Sequence, residues 1–212
     1  MSREQMLQKV RTALGRSPGQ PAAPPPPVWS RIPQWTAAER VERFSRAVEA
    51  LGGKPVTVEN LDAARRTVEQ LMAGHRAIAS NAPLLTACGI TSLPGVESGF
   101  TDAAAMRPVC ASVAIGITSA DYALADTGTL VMLSSPSEAR LVSLLPPTHI
   151  AVIPESCIVA NLDELLSILP KPAEQSSSMV LITGPSRTAD IEQILVRGVH
   201  GPGELYVIIL SE

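Results

Sequence analysis

His149-Ile150-Ala151-Val152-Ile153, then Leu162-Asp163-Glu164-Leu165-Leu166-Ser167-Ile168-Leu169, then Met179-Val180-Leu181-Ile182-Thr183, form a strand-like run, an amphipathic helical pattern and a second strand-like run. The two runs are apolar at almost every position, so both faces of such a strand must be covered. Asn161, followed three residues later by Glu164, forms a capping-box-like start for the helix between them. Further runs at Val109–Ile117, Leu130–Ser134 and Leu205–Leu210 extend the pattern, with helical stretches at Ser137–Leu145 and Thr188–Arg197. The link Asp121–Gly128 is too short for a crossover helix, so a hairpin or irregular pair is expected there. The chain reads as an α/β protein with a Rossmann-like mixed, mainly parallel sheet covered by helices on both faces.

Towards the N-terminus, Thr36 caps a helix reaching about Leu51, with Val41, Phe44, Val48 and Leu51 on one face and Gly52-Gly53 as the stop. A short strand at Pro55–Val58, a helix at Leu61–Ala73 and a buried strand at His75–Ser80 follow. The stretch 81–108 is rich in Gly, Pro and Ala, and only Asp102–Met106 suggests a helical turn. Residues 2–15 place Met6, Leu7, Val10 and Leu14 at helical spacing after Ser2. Next comes a proline-rich stretch containing the run Pro24–Pro27, which lacks amide donors and favours an extended spacer. The expected organisation is an N-terminal helical arm (1–16), a linker (17–34) and an α/β domain (35–212). The arm could dock on a partner, on a second copy to make a homo-oligomer, or on the body.

Composition narrows the function classes. The 212 residues carry 17 Lys and Arg against 20 Asp and Glu, and aromatics make up only 3%. Neither a basic footprint nor stacking platforms for nucleic acid are present. The three cysteines, Cys88, Cys110 and Cys157, are far apart and lack C-x-x-C spacing, which argues against a disulfide framework, a zinc knuckle or an iron–sulfur cluster held by this chain alone. No metal site is named by the scattered histidines. There is no secretory h-region and no apolar run of membrane-spanning length, and the expected location is cytoplasmic.

Three polar loops stand out as candidate chemistry. Thr183-Gly184-Pro185-Ser186-Arg187-Thr188-Ala189-Asp190-Ile191-Glu192 reads as a strand-to-helix turn. Its amides, Ser186, Thr188 and the Arg187 fork could hold a carboxylate or phosphate, while Asp190 adds negative charge; plain helix capping explains the same residues. Ala125-Asp126-Thr127-Gly128-Thr129 reads either as a turn or as a loop whose acid acts as base or orienter. Val199-His200-Gly201-Pro202 exposes a histidine between small residues, a natural acid or base at neutral pH. All three loops are expected beyond the carboxyl ends of sheet strands, where α/β proteins bind ligands. Arg140 could reach the second loop or simply face solvent, and His149 reads as a strand-end histidine. No dinucleotide, phosphate-loop or nucleophile-elbow motif is present.

Taken in order, Ala125–Val131, Arg140-Leu141 with Leu144–Pro146 and His149, Thr183–Glu192 and Gly198–Pro202 resemble the successive blocks of the LUD domain, in the lactate utilization protein C family. Ala13-Leu14-Gly15-Arg16 is similar to that family's start. The resemblance implies a fold of the NagB/RpiA/CoA transferase-like superfamily and a part in oxidising L-lactate to pyruvate with two partner proteins. The iron–sulfur clusters then belong to the partners, and this chain is a non-redox subunit that binds a small carboxylate or docks on them. On that reading Arg187 clamps an anion, His200 and Asp126 are acid–base candidates, and Ser186 and Thr127 donate hydrogen bonds. Gly128, Arg140, Gly184, Thr188, Asp190 and Gly201 complete the candidate ligand-binding set. Competing readings are a stand-alone enzyme on an acyl-CoA, sugar phosphate or folate-like substrate, and a regulatory or assembly protein.

Overall fold

The computed structural model describes residues 2–17, 19–21, 31–189 and 195–211. Residues 1–30 and 31–212 form two compact units. In the first, α1 (Arg3–Ala13) starts at a reciprocal capping box: Ser2 Oγ accepts from Gln5 N, and Gln5 Oε1 accepts from Ser2 N. Gly15, at φ 63°, follows its C-cap. The run Pro24–Pro27 lies outside the described residues.

The second unit is built on six parallel strands. These are β1 (Lys54–Val58), β2 (Ala77–Ala79), β3 (Val96–Glu97), β4 (Ile115–Thr118), β7 (Thr148–Pro154) and β12 (Glu204–Leu210), in the spatial order β1-β12-β7-β4-β2-β3. The central pair β7 and β12 is in register from Thr148↔Glu204 to Pro154↔Leu210. Its side chains alternate between two cores. Ile150, Val152, Ile208 and Leu210 face α3 (Leu61–Met72) and α4 (Pro83–Ala87), meeting Ala64, Val68 and Leu85. Ala151, Ile153, Leu205, Val207 and Ile209 face the opposite way, onto Phe44 and Val48 of α2 (Ala37–Ala50).

That second face is closed partly by another sheet. β5 (Tyr122–Leu124), β6 (Thr129–Leu133), β8 (Ile158–Val159) and β9 (Met179–Ile182) form a four-stranded layer in the order β8-β5-β6-β9. Ala123, Leu130 and Met132 point into the core shared with α2. Leu124, Val131 and Val159 point outwards and pack on Leu165 of α7 (Leu162–Ile168). Pairing of β5 with β6 is antiparallel, as the short link between them requires. Beside this layer, α5 (Ala103–Ser112) and α6 (Arg140–Leu144) cover Ile78 with Met106, Cys110 and Val142.

Three local expectations are corrected. Val109–Ser112 belongs to α5, started by Asp102, whose carboxylate accepts from Ala105 N, so β4 begins only at Ile115. A short apolar run cannot by itself distinguish a buried helix from a strand. Across the stretch read as a helix from Thr188 to Arg197, the described residues are instead extended: β10 (Arg187–Ala189) pairs antiparallel with β11 (Leu195–Arg197), Arg187 opposite Arg197, and residues 190–194 lie outside the described residues. The β-branched Thr188 and Val196 stand opposite each other, which favours extended pairing. The helix expected over Ser137–Leu145 is shortened to Arg140–Leu144. Ser137 and Glu138 are left in the preceding loop.

Gly116 shows how closely the layers approach. A Cβ there would collide with the carbonyl oxygen of Val142 and lie 3.1 Å from Pro146 Cγ. We expect Gly116→Ala to destabilise the protein by roughly 2–4 kcal/mol, since β4 or α6 must move. Urea unfolding at constant pH measures this, and an unchanged midpoint would contradict the close approach.

Candidate functional site

The structure gathers most of the sequence candidates around one helix end. Gly128, at φ 64°, lets its turn approach the α2 backbone: a Cβ would lie 2.6 Å from Val48 N and 2.8 Å from Ala47 C. Gly184 sits against Leu51, and Arg187 Nη2 donates to the Leu51 carbonyl at the α2 C-cap. Thr127 Oγ1, Thr129 Oγ1 and Thr183 Oγ1 form a chain of 2.8 Å hydrogen bonds linking two of the predicted loops. Ser186 N donates to Pro202 O, Gly198 N donates to Ser186 O, and a Cβ on Gly201 would lie 3.5 Å from that of Ser186. His200 is exposed on this loop.

This arrangement corrects the expected location. The loop 198–203 leads into β12, and the α2 C-terminus leads into β1, so both lie at the amino ends of the parallel strands. The loop 183–186 follows β9, which belongs to the small sheet, and is bonded to that same end. A strand, β10, directly follows Ser186, so the amides of this turn do not open a helix that could hold an anion. Arg187 is committed to capping α2. Thr188 lies in β10 and Asp190 lies outside the described residues. Arg140 does not join this cluster; its Nη1 lies 3.4 Å from Ser178 Oγ.

Asp126 takes another position. Its amide donates to Ala160 O, and its side chain lines a groove of about 390 Å³ with Trp35, Arg43, Arg46, Ala47 and Ala125. Arg43 stacks over the Trp35 ring, 4.3 Å from its centroid, and Arg46 pairs with Glu42 at 2.6 Å. Arg43 above the Trp35 ring and Arg46 one helical turn away make this groove attractive to carboxylates.

A second site lies at the carboxyl end of the sheet. β2 leaves towards α4 on one face, while its neighbour β4 leaves towards β5 on the other. Strands whose exits diverge in this way open a crevice. Ser80 and Ser119 stand at the two strand ends, and Glu138 reaches both from the loop after β6. Its Oε1 accepts from Ser80 Oγ at 3.0 Å and from Ser119 N at 2.9 Å. Glu138 is only 8% exposed, and its Oε2 has no partner among the described residues. Burial is the main cause that pushes its carboxyl up to about 7; Ser119 and Ser80 lower it, and Asp121 adds a small raising effect. Asn81 ties the rim together, donating its amide to Ser137 O and its side chain to Phe100 O while accepting from Gly99 N.

Nearby, Thr118 and His149 form a buried pair, Oγ1 to Nε2 at 2.8 Å. His149 is 1% exposed, and burial lowers its imidazole to about 4, so it is neutral at ordinary pH. Among the described residues no group of three or more His, Cys, Asp or Glu is placed to hold a metal ion. Burial also pushes the Cys88 and Cys110 thiols up. Sequence reading missed Glu138, Ser80, Ser119, Arg43 and Arg46. The available signal was a polar loop, Ser134–Glu138, directly after a buried strand.

Two predictions follow from these contacts. Replacing Arg187 by Ala removes a helix-end contact and should cost about 1 kcal/mol of stability; denaturant unfolding measures this, and no loss would return Arg187 to the ligand-binding candidates. Glu138 and His149 oppose each other in their effect on acid stability. A raised Glu138 stabilises the fold below pH 4.5, and that contribution is lost as pH rises through about 7. A lowered His149 stabilises it above 6.5, and that contribution is lost as pH falls towards about 4. Glu138→Gln should therefore gain on the order of 3 kcal/mol relative to the unsubstituted protein as pH rises through this window. Parallel stability curves for the two proteins would contradict the buried ionisation.

Comparison with known proteins agrees with this architecture. The LUD domain matches residues 41–210. A protein from Geobacillus sp. (strain WCH70) named lactate utilization protein C is 30% identical, over 100% of this chain and 96% of its own length. A protein of the same name from Halalkalibacterium halodurans is 35% identical over 75% of this chain and 73% of its own. The crystal structure of a DUF162 family protein from Deinococcus radiodurans shares the fold, with a TM-score of 0.63 at 19% identity, covering 83% of this chain and 99% of that one. Its sheet, its layers and the match over 41–210 place the chain in the LUD domain family.

Proposed function

We propose that this chain serves a system that oxidises L-lactate to pyruvate, as a subunit that works beside iron–sulfur partner proteins and carries no cluster itself. The observation that carries this reading is the near end-to-end similarity to a protein named lactate utilization protein C. The geometry adds a surface suited to the role. The groove lined by Arg43, Arg46 and Trp35 is open and combines cationic with aromatic groups. A carboxylate presented by a partner protein, or a small acid, is held there by charge-assisted hydrogen bonds without entering the core. Asp126, also in the lining, repels a badly placed anion and so narrows the direction of approach.

Reconstitution tests the reading. Lactate-dependent dye reduction by the purified partner proteins should rise several-fold on adding this chain; no gain from partners that are active alone would overturn it. The double variant Arg43→Ala, Arg46→Ala should lower that gain by about tenfold or more, the value of one lost charge-assisted contact. Its thermal stability should be nearly that of the unsubstituted protein, because both side chains are exposed. An undiminished gain would remove the groove from the interface.

A further inference from the structure

The groove beside α2 holds charges of both signs that do not meet. Arg43, Arg46 and Asp126 line the same space of about 390 Å³, yet no ion pair among the described residues joins Asp126 to either arginine. Arg46 is already paired with Glu42 at 2.6 Å, and Glu39, one helical turn before Arg43, directs its carboxylate to Thr36 in the α2 capping box. Arg43 and Asp126 are therefore the two charges of the lining that lack an ion-pair partner among the described residues. Both are anchored. The Arg43 guanidinium lies over the Trp35 ring, which occupies its face and leaves its N–H edge able to fork onto a carboxylate. The Trp35 carbonyl accepts from Arg40 Nε at 3.3 Å, and the Asp126 amide donates to Ala160 O at 3.1 Å. Ala47 and Ala125 complete the lining with methyl groups alone. An open space between opposite charges, walled by small apolar groups, is complementary to a molecule that carries both charges itself.

We propose that this groove binds a free, zwitterionic 2-amino acid with a short apolar side chain. Its carboxylate accepts from the Arg43 guanidinium, its ammonium donates to the Asp126 carboxylate, and its side chain lies against Ala47 and Ala125. No covalent bond forms or breaks. Charge selects this class among small molecules. With Arg46 balanced by Glu42, the charges of Arg43 and Asp126 sum to zero, and a zwitterion keeps that sum while engaging both. A simple carboxylate engages Arg43 alone and brings a second negative charge towards Asp126. A simple amine engages Asp126 alone and brings a second positive charge towards Arg43. The amino acid takes the arginine that a partner's carboxylate would use, so the two exclude each other and the amino acid acts as an inhibitor. That consequence rests on the function proposed above; the binding site does not.

Titration of the full chain with L-alanine, propionate, ethylamine and L-lactate, followed by NMR of the ligand methyl groups, tests the site. L-Alanine should bind at least about tenfold more tightly than each of the other three, the worth of one charge-assisted contact. Arg43→Ala and Asp126→Asn should each weaken L-alanine by about tenfold or more. Asp126→Ala should bring L-alanine and propionate to nearly equal affinity. Thermal unfolding of these variants should stay close to that of the unsubstituted protein, because both side chains are exposed. Propionate or L-lactate binding as tightly as L-alanine, an Asp126→Ala chain that keeps its preference, or no binding of L-alanine would overturn the proposal. In reconstituted lactate oxidation, saturating L-alanine should lower the gain from this chain several-fold. Amino-acid binding in a chain that adds nothing to lactate oxidation would leave the site standing and refute the function proposed above. A gain that depends on Arg43 and Arg46 in a chain that binds no amino acid would do the reverse.

Discussion

Strands β7 and β12 carry apolar side chains on both faces, and every other layer of the body follows from keeping both faces from water. Seven paired positions run along this central ladder. With roughly 25 cal/mol gained per Å² of apolar surface removed from water, leaving either face open would cost more than a domain's whole net stability. Helices α3 and α4 close one side. The other side is closed by α2, by the paired α5 and α6, and by a second sheet that is itself two-faced and needs α7 behind it. The sequence 119–182 is largely devoted to making that second cover.

That division explains where polar residues can gather. At the amino end, the turn at Gly128 and the loops at Gly184 and Gly201 pack close on α2 or on each other, so their glycines and hydroxyls serve contact between layers. At the carboxyl end, β2 and β4 diverge because one feeds the helical cover and the other feeds the second sheet. The gap between them is a direct result of covering one sheet by two different kinds of layer. Glu138 occupies this gap, held by residues 58 and 19 positions away in sequence.

The sequence made the periodic and capped elements legible. Thr36 and Asn161 cap the helices they precede, and the strands at 54–58, 148–154 and 204–210 lie where apolar runs indicated. Local pattern failed where an element depends on a distant partner. Arg187–Ala189 extends because Leu195–Arg197 pairs with it, and a helical reading of the same residues satisfies spacing alone. Glu138 was hidden for the same reason: an acid among Ser135, Pro136 and Ser137 reads as solvent-facing turn, and only Ser80 and Ser119 reveal its burial. The loops of Arg187 and His200, expected beyond the carboxyl ends of the strands, meet beside the α2 C-cap at the amino end, and Asp126 turns to the Arg43 groove, because interlayer contacts set by distant residues place them.

The place of β12 in the sheet has a consequence for synthesis. Strand β12 lies between β1 and β7, both earlier in the sequence, and pairs with both. During translation the two flanking portions must wait with a strand-wide gap and unpaired edges until residues 204–210 have left the ribosome. Closing that gap joins segments about 150 positions apart, as in the pairing of Lys54 with Glu204, so the cost of loop closure is met only when β12 pairs. A nascent or truncated chain lacking β12 exposes two edges ready to pair with another copy, which makes chaperone dependence and aggregation of shortened products properties of the topology.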